Sequence, residues 1–205
     1  MSTLCSSIAI VFTALSTGVF REAILVILAT AALFAGLLSI ALASTAIAEP
    51  IKRALADYQN VFNAISAQVA VVDGVVADYV NNDATADDVQ AASDALETTI
   101  NNGAAAIPGF APLGNLDTLS LVGPIQDLTA DVADLIDDLI AAEAKFVAAD
   151  REGDALDSLN AQKAGTEAVH DAITPKVPAA LQDIAETLSQ GIVEEIDRGI
   201  AAYSD

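Results

Sequence analysis

The side chains best equipped for chemistry in this 205-residue chain are one histidine, one cysteine and a large excess of carboxylates. His170 stands beside Asp171 in a chain with many serines, the ingredients of a hydrolytic triad. The spacing argues against it: adjacent residues of a helix point about 100° apart, and no G-x-S-x-G nucleophile elbow occurs. Asp87-Asp88, Asp137-Asp138 and Glu194-Glu195 are adjacent pairs, unlike the alternating ligands of a calcium loop. Neither His-Glu-x-x-His nor paired cysteines are present. The acids read as solvated faces and His170 as a surface or seam residue, so no catalytic residue, metal site or cofactor is expected.

What the spacing does support is burial of apolar matter. Leu55, Tyr58, Phe62, Ile65, Val69, Val72, Val76 and Tyr79 keep alternating three- and four-residue steps, the mark of an amphipathic helix. Leu121, Ile125, Leu128, Val132, Leu135, Leu139, Ala142 and Phe146 repeat it. A third ladder runs through Val177, Leu181, Ile184, Leu188, Ile192, Ile196, Ile200 and Tyr203. The expected fold class is all-α, a five-helix up-and-down bundle.

Helix one is expected over 51–80, with Pro50 near its start and Asn81-Asn82-Asp83 closing it. Helix two opens at an N-cap, Thr85, followed by Asp87 and Asp88. Its stripe of Val89, Ala92, Leu96 and Ile100 is thin, and Asn101-Asn102-Gly103 should fray it. Residues 107–114 hold two prolines and two glycines and read as a loop whose Ile107, Phe110 and Leu113 fold back onto the bundle. Helix three covers 116–149, bent or restarted at Gly123-Pro124. Helix four runs over 154–173 with Asp154 as its cap, and helix five tolerates Pro178 in its opening turn.

The first 48 residues are almost uncharged and read as an apolar leader ending at the small-residue cleavage pattern Ala46-Ile47-Ala48. A second apolar stretch, Ser6 to Phe20, is unusual for a signal peptide and points to residues 1–20 as a gene-model extension; a retained membrane anchor is the alternative. Cleavage leaves 49–205 as one helical-bundle domain of ordinary size. It removes one charge of each sign, Arg21 and Glu22, so the net charge stays at −21. Nucleic acid and anionic membranes are therefore poor partners. Cys5 leaves with the leader, so helix packing alone must stabilise the domain. No N-glycosylation acceptor occurs, and the carboxyl end lacks a lipid-anchor signal, as expected of a released, secreted protein.

The seams are rich in Ala, Val and Ile, and Gln68, Gln90, Ser158, Gln162 and Ser189 are placed to interrupt their packing. Such a core can enclose a narrow apolar tunnel between helices one, three and five. The expected lining is Phe62, Ile65, Val69, Leu128 and Val132, then Leu135, Leu139, Phe146, Leu181 and Leu188. A long acyl chain suits it, gaining about 0.8 kcal/mol per buried methylene. Fatty acids or similar amphiphiles are the expected ligands, the negative field favouring either a neutral ligand or local help from Lys145, Lys163 or Lys176 for a carboxylate. The same seams could instead open and spread on a hydrophobic surface, and a purely structural glycoprotein of an outer wall is a third alternative.

Particular segments add a resemblance. They are Leu121-Val122-Gly123-Pro124-Ile125, Ile136-Asp137-Asp138-Leu139-Ile140, Lys145-Phe146, the run Ala172 to Leu181 containing Lys176-Val177-Pro178, and Ile184 to Ile192. On these the chain resembles the fungal hydrophobic surface binding proteins, also called cell wall galactomannoproteins. The resemblance implies a secreted or wall-associated helical protein. Some members bind hydrophobic surfaces and recruit polyester-degrading esterases, and others carry long-chain fatty acids inside the bundle. It implies no catalytic or binding signature that transfers residue by residue.

Overall fold

All but one position of the first apolar ladder is fully buried along a single helix, α1 (Ala54–Asn81); Leu55 alone is half-buried. The computed structural model describes residues 54–204. The expected leader, its cleavage site, Cys5 and the start of helix one at Pro50 lie outside them. α1 stops at Asn82, which adopts the left-handed conformation (φ 67°) that asparagine tolerates better than most residues. Thr85 then caps α2 (Ala86–Ala106): its hydroxyl accepts from the Asp88 amide at 3.3 Å while the Asp88 carboxylate accepts from the Thr85 amide at 2.8 Å.

Three boundaries differ from expectation. α2 continues through Asn101-Asn102-Gly103, because Gly103 is buried against Val61 of α1, where an added Cβ would stand 2.7 Å from Val61 Cγ1. The glycine that should fray the helix is what lets α1 approach it. α3 (Asn115–Ala148) passes through Pro124 as one helix. The carbonyl that Pro124 leaves without a partner belongs to exposed Ser120, where water can satisfy it. α4 (Glu152–Ile173) begins before Asp154, which is bound to Arg151 instead of capping the helix.

The third ladder enters its helix late. Residues 174–181 form two short 3-10 turns, and α5 (Gln182–Ala202) starts only after Leu181. Buried Val177 anchors this connection. Its neighbour Lys176 donates from Nζ to the Pro108 and Phe110 carbonyls at 2.7 and 2.8 Å, and its own carbonyl accepts from the Leu113 amide at 2.9 Å. The two long connections, 107–114 and 174–181, are thus laced together. As expected, Ile107 and Leu113 are buried, and Phe110 meets Tyr58 edge-on with ring centroids 5.2 Å apart.

These crossings set the arrangement of the helices. α1, α3 and α5 run one way and α2 and α4 the other, but three of the five neighbouring pairs in space, α1 with α3, α3 with α5 and α2 with α4, are not neighbours in sequence. Ser66 and Tyr79 of α1 bond Asp131 and Lys145 of α3 in parallel register. Gly191 and Gly199 of α5 lie against Thr129 and Ile136 of α3. Gln90 of α2 bonds Ser158 of α4, and Gly165 of α4 packs on Ile100 of α2, again parallel. Antiparallel contacts, Val61 with Gly103 and Lys163 with Asp197, join α1 to α2 and α4 to α5. The ring therefore closes in the order α1, α2, α4, α5, α3. Among the described residues there is no β-strand.

An apolar cavity inside the helix ring

The centre of the ring holds a cavity of about 50 Å³. α1 contributes Phe62, Ile65 and Val69, and α3 contributes Leu128, Val132, Leu135 and Ile136. Leu96 and Ile100 come from α2, and Gln162, Thr166 and Val169 from α4. Ile192 and Ile196 of α5 complete the wall. Six of the ten residues expected from the ladders line it: Phe62, Ile65, Val69, Leu128, Val132 and Leu135. The other four do not. Leu139 and Phe146 border a smaller hollow of about 20 Å³ toward α2 and α4. Leu181 and Leu188 are only half-buried, because the late start of α5 leaves its first turns loosely covered.

Both ends of the ring are stoppered by aromatic rings. At one end Tyr79, Phe146 and Tyr203 cluster, with centroids 4.8 and 5.9 Å apart, and the Tyr203 hydroxyl donates to the Leu139 carbonyl at 2.6 Å. This cluster is what removes Phe146 and Leu139 from the central wall. At the other end Tyr58, fully buried, donates to the Ala111 carbonyl at 3.1 Å beneath Phe110.

None of the three lysines expected to offset charge lines the cavity. Lys145 donates to the Tyr79 carbonyl and, at 2.9 Å, to Asn82 Oδ1, holding the C-terminus of α1. Lys163 pairs with Asp197 at 2.6 Å, and Lys176 is bound to the loop carbonyls. A Lys145→Met variant should therefore melt at lower temperature, by an amount matching about 1–2 kcal/mol for lost bonds to carbonyls. Its lipid affinity should be unchanged, as thermal melts and lipid titration can check together.

Charge is unevenly placed between α1 and α3. Burial pushes the Asp73 carboxyl above the ordinary carboxylate range, and Asp138 beside it, then Asp134 and Asp131, add repulsion. Its Oδ1 is buried without a partner. Since the folded pKa exceeds the unfolded one, Asp73 costs nothing below the ordinary carboxylate pKa, and stability is lost as pH rises through the raised value. Asp73→Asn should thus stabilise the bundle at neutral pH by up to about 1 kcal/mol, the residue being only half-buried. The gain should vanish below a pH of about 3.5 in urea titrations.

His170 reaches across to α5, with Nε2 2.9 Å from Glu186 Oε2. Among the described residues no cluster of three or more His, Cys, Asp or Glu side chains could hold a metal ion. The model of the family "Hydrophobic surface binding protein A" matches residues 55–175, more than half of the chain and four of the five helices. The chain belongs to this family. Similar curated relatives are cell wall mannoprotein 1 of Aspergillus fumigatus, 41% identical over 146 residues, and of Aspergillus flavus, 38% over 173 residues. These alignments take in 71% and 84% of the chain but only 51% and 63% of the relatives' own length.

Among solved structures, ligand binding domain 2 of the Penicillium marneffei MP1 protein, complexed with multiple arachidonic acids, is similar to this family member. It is 29% identical with a TM-score of 0.69, covering 73% of the chain and 95% of that domain. Domain 1 of the same protein, complexed with arachidonic acids, is 23% identical with a TM-score of 0.70 over 74% of the chain and 99% of the domain, and shows the shared fold.

The walls from α2 and α4 were not expected. Gly165, Gln162 and Thr166 break the apolar pattern that marks a seam. Yet small or polar residues facing a cavity are what leave its space unfilled. Of the polar residues expected to interrupt packing, Gln162 does so here, and Gln90 and Ser158 bond each other beside the smaller hollow.

Proposed function

We propose that the protein is a secreted, noncatalytic carrier that holds long-chain fatty acids or similar amphiphiles in the helix ring, after loss of residues 1–48. The observation that carries this reading is an apolar cavity walled by all five helices, in a fold shared with a 29%-identical domain complexed with arachidonic acids. At about 50 Å³ the cavity is far smaller than the roughly 300 Å³ at which pockets for drug-sized ligands begin. Uptake of an acyl chain therefore parts the helices. Contacts at Gly103, Gly165 and Gly199 hold them at intervals along the ring while the Val- and Ile-lined spans between separate. The relatives' wall-protein names support a secreted, wall-associated location.

Titration with a fluorescent fatty acid tests the carrier reading. Saturable binding of one or two molecules per chain, displaced by unlabelled arachidonate, is expected; emission that grows without saturation would contradict it.

A second use of the same bundle, adhesion to hydrophobic surfaces with recruitment of a secreted esterase, is favoured by apolar residues left outside the core. Leu116 is 80% exposed, and Leu119, Val147 and Ile184 are also exposed. Adsorption to polyester particles that persists when α1 is cross-linked to α5 would show that these outer residues suffice without opening the ring. Loss of adsorption on cross-linking would assign it to the opened seams.

A further inference from the structure

The smaller hollow differs from the cavity in its chemistry. Gln162 lines both, so the two spaces meet at its side chain. Gln90, Arg151, Asp154 and Ser158 in turn line both the hollow and a wide basin on the outer surface of α2 and α4. The basin, the hollow and the cavity thus adjoin in a row, marking a path from solvent to the apolar centre through the side of the ring across which Gln162 stands, whereas both ends are closed by aromatic rings.

Two mostly buried polar side chains line this path. Gln162 is 7% exposed and Ser93, in the hollow, 8%; their polar atoms are not sealed from solvent, the one sealed polar atom without a partner among the described residues being Asp73 Oδ1. Buried amides and hydroxyls are costly unless a partner satisfies them. Ser158 accepts from Gln90 at 3.1 Å, which leaves its own hydroxyl proton free to donate.

Charge decides which partner fits. Among the described residues Arg151 is the only cation on the path, and it is already bound to Asp87 and Asp154. Asp94, Glu97 and Asp157 stand with Asp154 around the basin. A carboxylate anion would have to lose its water beside uncompensated negative charge, on a protein of net charge −21. An uncharged hydroxyl, amide or protonated acid loses far less and can both donate to and accept from Gln162, Ser93 and Ser158.

From this we infer that the α2–α4 hollow is the head-group port of the lipid site, and that it takes an uncharged head, so that a fatty acid enters in its protonated form. This rests on the carrier reading above. The test compares 1-tetradecanol with myristate, chains of equal length, as competitors of a pyrene-labelled fatty alcohol on the purified protein.

At a pH of about 7.5 the alcohol should compete at least about tenfold better. On lowering the pH to about 5, myristate should gain at least about tenfold and the alcohol less than about twofold, which separates ligand protonation from titration of the protein. Gln162→Leu, with helicity checked by circular dichroism, should weaken the alcohol by about fivefold, the worth of one hydrogen bond. Myristate competing as well as the alcohol at the higher pH, or a Gln162→Leu variant that binds the alcohol unchanged, would overturn the port while leaving the carrier intact. No saturable binding of the labelled alcohol and no competition by either lipid would overturn both.

Discussion

A Val132→Phe variant should keep its helical circular dichroism and lose acyl-chain affinity by about tenfold or more. Val132 is buried in the middle of α3 and lines the cavity. A phenyl ring there occupies the space that the acyl chain needs. Overpacking a filled core costs about 1–3 kcal/mol, and the vacant volume beside Val132 should keep the loss toward the low end of that range. Thermal melts and fluorescent fatty-acid titration on the same sample separate the two effects. A folded variant with unaltered affinity would remove the central cavity from the binding site.

Leu135→Asp should instead strike stability first. Leu135 is 2% exposed, and no cation is available among the apolar residues that share the cavity wall with it. An unpaired buried carboxylate costs about 3–5 kcal/mol. That is a large part of the roughly 5–15 kcal/mol that holds a domain together, so the urea midpoint should collapse or the bundle should fail to fold at neutral pH. Leu188→Asp is the contrast. Leu188 is half-buried on the loosely covered part of α5 and outside the cavity wall, and its loss should stay within about 1 kcal/mol with lipid affinity retained. Equal damage from the two changes would mean that α5 packs from its first turn, as its ladder alone suggests.

The helices that read most plainly from the chain are those whose seams are continuous. The ladders of α1 and α3 locate Phe62, Val69, Leu128 and Leu135 because every third or fourth residue is large and apolar. The thin stripe of α2 holds Leu96 and Ile100, which also reach the wall, but the rest of the inward face of α2 and α4 is harder to read because part of it is Gly103, Gly165, Gln162 and Thr166. Glycine there serves close approach and Gln162 serves polarity inside the ring, and periodicity detects neither. α5 shows the opposite failure. Its ladder is unbroken from Val177 to Tyr203, yet a 3-10 turn over 179–181 intervenes and only Ile192, Ile196 and Gly199 of the helix are fully buried.

The order of helices around the ring was equally out of reach. It depends on the laced connections at Lys176 and Leu113, contacts between residues more than sixty positions apart. The role of the lysines follows from the same long-range contacts: charge counting makes each a plausible partner for a ligand, and only tertiary structure shows each one already engaged.

Native mass spectrometry of the purified protein, with and without arachidonate, tests the central claim most directly. An internal carrier site predicts a discrete complex of one or two lipids that survives into the gas phase, with the charge-state distribution of a folded chain. A folded protein that carries no adduct at any lipid concentration below micelle formation, while adsorbing strongly to hydrophobic beads, would contradict it.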